Sequence, residues 1–269
     1  MNQITRRASV AYLTGFGALL LVRSACPHNI WITVDKKPEG QLVAQLNYGD
    51  PDKRDPVDIG KVVTLELIAP SGHISMRRPL EVATRLGQPV LQTKQFSALP
   101  GSLLSVIYDD GFWTQDPSDN IESNSSKLLI PTAKKSWWVP KFGKTLLGPG
   151  AYRFTAHTKL EIIPLKDPFE VAIGLKLPVR VDFNGKPLAG VDVLYDDGIA
   201  PISDDNTPRV KTGSDGVANI PITRAGPYRI TAGYETSPSS APGLADKDDL
   251  DASLAFELDR HAEMTPQPQ

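Results

Sequence analysis

Residues 177–195 read Leu177-Pro-Val-Arg-Val-Asp-Phe183, then Asn184-Gly-Lys-Pro-Leu-Ala-Gly190, then Val191-Asp-Val-Leu-Tyr195. Apolar and polar residues alternate in the outer pieces, and the Asn-Gly pair between them suits the positive φ of a tight turn. The stretch is strand, turn, strand. The form recurs in Lys211-Thr-Gly-Ser-Asp-Gly-Val-Ala-Asn-Ile-Pro-Ile222 and Ala225-Gly-Pro-Tyr-Arg-Ile-Thr-Ala232. That order is the one expected of a small seven-stranded Greek-key sandwich.

Working outward, the same spacing of two marks strands at Leu42 to Leu46, Val62 to Ile68, Ser102 to Tyr108, Gly150 to Ala156, Leu160 to Ile163 and Ala252 to Leu258. No long amphipathic helix interrupts them. The pattern predicts an all-β chain of two β-sandwich domains, residues 26–165 and 166–260, parted where Pro164 and Pro168 block continuation of a ladder. Asp109-Asp110-Gly111 reads as a hairpin turn, the polar run Glu235 to Leu250 as a solvated loop, and 261–269 as a tail without structure.

With 29 basic against 31 acidic residues among 269, the net charge of −2 excludes a strongly basic nucleic-acid binder. Hydrophobic residues at 40% permit a sizeable core, while 24 prolines and 21 glycines favour short strands and many turns. Arg6 and Arg7 precede an apolar run from Ala8 to Val22, then Ser24, Ala25 and Cys26, the layout of a signal peptide over 1–25 and so of an exported, periplasmic protein. The run is too short to cross a bilayer. The paired arginines also admit twin-arginine export, and Cys26 admits lipid anchoring in place of peptidase cleavage. As Cys26 is the only cysteine, neither an intramolecular disulfide nor a disulfide-linked partner is expected.

Four stretches carry a resemblance that spans nearly the whole chain after residue 25. They are His28-Asn-Ile-Trp31, Asp109-Asp-Gly-Phe-Trp113 with Lys135-Ser-Trp-Trp138, Leu160-Glu-Ile-Ile-Pro-Leu-Lys-Asp-Pro168 and Phe183-Asn-Gly-Lys-Pro-Leu-Ala-Gly190. Together they resemble a bacterial exported family known as a domain of unknown function and often described as the periplasmic component of nickel or cobalt uptake. The second half is also similar to carboxypeptidase-regulatory and other bacterial immunoglobulin-like modules. The resemblance implies a divalent metal, nickel or cobalt, as cofactor or cargo, and a membrane uptake system or an outer-membrane receptor as partner.

Metal chemistry directs attention to the histidines, because neutral imidazole is a good ligand for such ions. His28, close to the processed terminus, and His157, just ahead of Leu160, are the candidates; the competing readings are a residue packed on Trp31 and a solvent-facing turn. His73 and His261 are weaker. Two imidazoles make a poor cage, so Asp50, Asp109, Asp110 and Glu161 would have to complete it. No CxxC pair or HExxH is present.

The chain shows no GxSxG elbow, phosphate loop, dinucleotide-binding glycines or catalytic cysteine, so it reads as a non-enzyme. Trp113, Trp137 and Trp138 flank the segment Lys127 to Lys144 and either shape a recognition surface or cover the first core. Two functions are thus expected: metal delivery, or a non-metal accessory module that engages an envelope partner or a glycan.

Overall fold

A computed structural model describes residues 28–51, 53–200, 202 and 206–259. The signal-peptide reading, Cys26, His261 and the tail lie outside the described residues. The described chain is all-β. Its first half runs β1 (Asn29–Lys36), β2 (Leu42–Gly49), β3 (Arg54–Asp55), β4 (Val62–Ala69), β5 (Gly72–Ser75), β6 (Leu80–Arg85), β7 (Gln88–Thr93), β8 (Leu103–Gln115), β9 (Ile121–Ser123) and β10 (Lys135–Leu146). The second runs β11 (Leu160–Pro164), β12 (Lys176–Phe183), β13 (Lys186–Pro187), β14 (Asp192–Asp196), β15 (Arg209–Lys211), β16 (Val217–Pro221), β17 (Gly226–Thr236) and β18 (Lys247–Leu258). Among the described residues no helix is long and apolar enough to cross a membrane.

These strands form three layers. The outer sheets are β1-β2-β7-β6 with β3, and β11-β12-β13 with β16; between them lies a sheet ordered β15-β14-β17-β18-β10-β8-β4-β5, with β9 beside β8. Side-chain alternation assigns its two faces. Along β8, Leu104, Val106 and Tyr108 enter the core under β1 and β2. Leu103 enters the other core, with Phe142, Leu254, Val179 and Ile220. The chain is therefore two β-sandwiches that share one middle sheet.

The sharing depends on one pairing: β10 runs parallel to β18, with Phe142 opposite Ala252 and Thr145 opposite Ala255. Pro164 and Pro168 do not separate two bodies. β11 pairs antiparallel with β12, Pro164 opposite Val179, so the strand just before the expected boundary is built into the second sandwich. Close approach of β1 to the middle sheet requires Gly143, where an added Cβ would lie 2.7 Å from Val106 Cγ1 and 3.3 Å from the Ile30 carbonyl.

Three local expectations are corrected. Residues 150–156 are not a strand: Gly150, at φ 83°, turns the chain into a single 3-10 turn, Ala151–Arg153. Asp109-Asp110-Gly111 lies inside β8 rather than at a hairpin tip, because β10 pairs along both sides of it. The acidic run before Leu250 is not all loop, since Lys247–Leu250 belong to β18 opposite the end of β17.

Charge misled the reading there because these aspartates are buried with partners. Asp248 is fully buried and bonded by Lys159 Nζ (2.7 Å), Ser239 Oγ (2.6 Å) and Ser240 Oγ (2.6 Å). Burial alone would raise its pKa, but the bonds from Lys159, Ser239 and Ser240 together hold the carboxyl below the usual carboxylate range. A carboxylate lowered in the fold contributes stability above its unfolded pKa and loses it as pH falls through the folded value. Asp248→Asn is expected to cost about 1–3 kcal/mol at pH 7. The gap should shrink as pH drops below the ordinary aspartate value of about 3.9. Thermal melts of both proteins from pH 7 to pH 3 check this, and a constant gap contradicts it.

Candidate functional site

The sequence-predicted residues occupy both sides of the middle sheet. β1 lies on the face that carries Thr145 and Ser253, whose hydroxyls donate to the carbonyls of Ile32 (2.7 Å) and Ile30 (2.6 Å). His28 leads into that strand, its Nδ1 3.4 Å from Asp55 Oδ2 and its ring edge-on to Tyr48 at 5.3 Å. Tyr48 in turn donates to Asp110 Oδ2 at 2.8 Å, and Lys61 Nζ pairs with Asp110 Oδ1 at 3.0 Å. Asp50 opens the turn before Arg54, its backbone exchanging two hydrogen bonds with Lys53.

Glu161 lies on the opposite face. Its Oε1 accepts from Lys144 Nζ (2.6 Å) and the Ala156 N–H (2.8 Å), its Oε2 from the His157 N–H (3.0 Å). Both oxygens are committed to the fold. The loop holds His157 at φ 54° with its exposed ring beside Thr155 Oγ1, so the middle sheet stands between His157 and His28. Asp109 Oδ1 accepts from Trp138 Nε1 (2.9 Å) and the Gly111 N–H (3.1 Å). Among the described residues, no group of three or more His, Cys, Asp and Glu side chains is placed to hold a metal ion.

The three tryptophans divide between the two faces of the sheet, Trp137 and its cross-strand neighbour Trp113 on one and Trp138 on the other. Trp137 and Val139 form a small buried cluster with Trp113 against it, and Lys159 Nζ lies 5.2 Å from the Trp138 ring.

A different site emerges where both sandwiches meet the ends of β10 and β18. A cleft of about 580 Å³ opens there, lined by Ile32, Leu147, Phe169, Val171, Ile173 and Leu258 along its apolar walls. Trp31, Arg85 and Arg229 line it as well. Trp31 is fully buried, and the guanidinium carbons of Arg229 and Arg54 lie 4.8 Å and 5.2 Å from its ring centre. The ring electrons attract both cations, and the indole thereby links β1 to β3 and β17.

The three arginines are held differently. Arg229, 1% exposed, is bidentate to Asp196 through Nε (2.9 Å) and Nη2 (2.6 Å). Arg85 grips Asp35 Oδ1 through Nε (3.0 Å) and Nη2 (2.7 Å). Arg54, 6% exposed, meets only neutral acceptors, Asn47 Oδ1 at 2.7 Å and the Gly198 carbonyl at 2.8 Å. Burial first, then the charges of Arg85 and Arg229, lower the pKa of Arg54.

Four donors in this group, Trp31 Nε1, Arg54 Nε, Arg85 Nη1 and Arg229 Nη1, are buried with no hydrogen-bond partner among the described residues. A buried donor left unmade costs about 1–3 kcal/mol. Three of these four residues, Trp31, Arg85 and Arg229, line the cleft beside its apolar side chains, and Arg54 adjoins them through the Trp31 ring. Sequence reasoning missed it because residues 31, 54, 85 and 229 share no motif; only the pairing of distant strands assembles them.

Solved structures aligned with this chain are distant. A native alpha-2-macroglobulin from Escherichia coli, spanning domains MG0-NIE-MG1, is 11% identical over 87% of this chain and 72% of its own, with a TM-score of 0.22. The titin domains z1z2 in complex with telethonin are 11% identical over 86% and 93%, with a TM-score of 0.20. No curated protein matches the chain. The model of the family described as a domain of unknown function, DUF4198, matches residues 25–236, and the chain belongs to that family.

Proposed function

We propose that this chain is an exported, non-catalytic binding module that seats a small ligand in the cleft where its two sandwiches meet. The observation that carries this reading is the cleft itself: about 580 Å³, with apolar side chains along it and with Trp31, Arg85 and Arg229, three residues that each bear an unmet buried donor, in its lining. Sites of that size and mixed lining are the usual form of a small-molecule pocket. Export rests on the signal-like order of Arg6, Arg7 and the apolar run that follows. The nickel or cobalt reading draws on the His28–Asp55 pair, an imidazole and a carboxylate 3.4 Å apart.

Two titrations test the two readings. The neutral fluorophore N-phenyl-1-naphthylamine should bind the full chain once, with enhanced emission, and Ile173→Trp, at the cleft wall, should weaken it at least tenfold. Equal binding by the variant places the fluorophore elsewhere and refutes the cleft reading. Calorimetry with nickel and cobalt forms the second arm. One-site binding that His28→Ala abolishes would establish the metal reading, and absence of binding by the parent would end it.

A further inference from the structure

We propose that the cleft takes a monoanionic organic ligand, a carboxylate on an apolar body, with the carboxylate seated against Trp31, Arg85 and Arg229 beside Arg54. This inference rests on the cleft reading and adds the ligand's charge and class.

The first argument is a count of charge. Arg229 is neutralised by Asp196 and Arg85 by Asp35. Arg54 has no carboxylate within ion-pairing distance among the described residues, so the trio carries one net positive charge into a buried place. A buried charge is ordinarily paired, and the missing partner is one negative charge.

The second argument is hydrogen-bond polarity. The four buried unmet groups of the cluster are all N–H donors, on Trp31, Arg85 and Arg229, which line the cleft, and on Arg54, which stacks on Trp31. A group that satisfies several donors at once is acceptor-only, as an ionised carboxylate is. The third is the surroundings. Asp197, Glu257 and Asp259 also line the cleft, with Lys36 bound to Asp259 at 3.0 Å and Arg224 to Asp197 at 3.3 Å. Acidic groups in the same lining favour a single charge over a dianion such as phosphate. The apolar walls require a hydrocarbon portion behind the carboxylate.

Competition against N-phenyl-1-naphthylamine on the full chain separates the claims. Octanoate is expected to displace the fluorophore at least tenfold more effectively than 1-octanol, and inorganic phosphate to displace it no better than chloride. Arg54→Met removes the uncompensated charge without stranding a carboxylate; it should keep a cooperative thermal transition and bring octanoate and octanol to within about threefold of each other. Octanol competing as well as octanoate on the parent would overturn the anion inference while leaving the cleft reading intact. Fluorophore binding that ignores Ile173→Trp would remove both. Because the octanoate-to-octanol ratio is read on the parent, the inference is decided even if Arg54→Met fails to fold.

Discussion

Lys144→Met is expected to destabilise the fold by about 3–5 kcal/mol, the cost of stranding one member of a buried ion pair. Lys144 is 3% exposed and Glu161 5%, and their Nζ and Oε1 lie 2.6 Å apart between the middle sheet and β11. Burial presses the Lys144 amine below the usual lysine range, while Glu161 and then Asp182 pull it back. With methionine in its place, the Glu161 carboxylate would retain only the N–H groups of Ala156 and His157. Adding Glu161→Leu should recover most of the loss, since hydrocarbon can replace a buried pair that it cannot break in half. Urea unfolding of the single and double variants measures this. A neutral Lys144→Met would show that Glu161 does not depend on the pair and would reopen its candidacy as a ligand.

Trp31→Ala should be equally severe, with a loss of about 3–5 kcal/mol from the emptied volume of a fully buried indole. The ring also carries Arg54 and Arg229, and each stacked cation adds about 0.5–2 kcal/mol. Trp138→Ala, at a partly exposed site, is expected to lose clearly less. Urea midpoints of the two variants make the comparison. Equal losses would show that the indole does not tie β1 to β3 and β17 as described.

How far the residues alone disclose this molecule depends on the distance over which each feature is specified. The hairpin-like run from Leu177 to Tyr195 is legible because alternation and Asn184-Gly185 are local, and β12, β13 and β14 follow it. The pairing of β10 with β18 joins residues more than a hundred positions apart, and nothing in either strand announces a partner across that interval. Burial of Asp248 and Glu161 is hidden for the same reason: their neutralising lysines, Lys159 and Lys144, come from other strands and loops. Of the site residues, His28 and Asp55 could be associated through the β1–β2–β3 order, whereas His28 and His157 were joined only by chemical type. The arginine trio had no local signature at all. Each arginine, taken singly, looks like ordinary surface.

The position of β18 bears on how the chain is assembled. It is the last described strand to be synthesised, yet it lies in the interior of its sheet, flanked by β17 and β10. Until residues 247–258 emerge, both of those strands present bare peptide edges of the kind that invite pairing with another chain. Closure of the middle sheet thus waits on residues 247–258, and contacts of such long span are slow to form. The middle sheet of such a topology stays divided into two incomplete parts until those twelve residues dock between them.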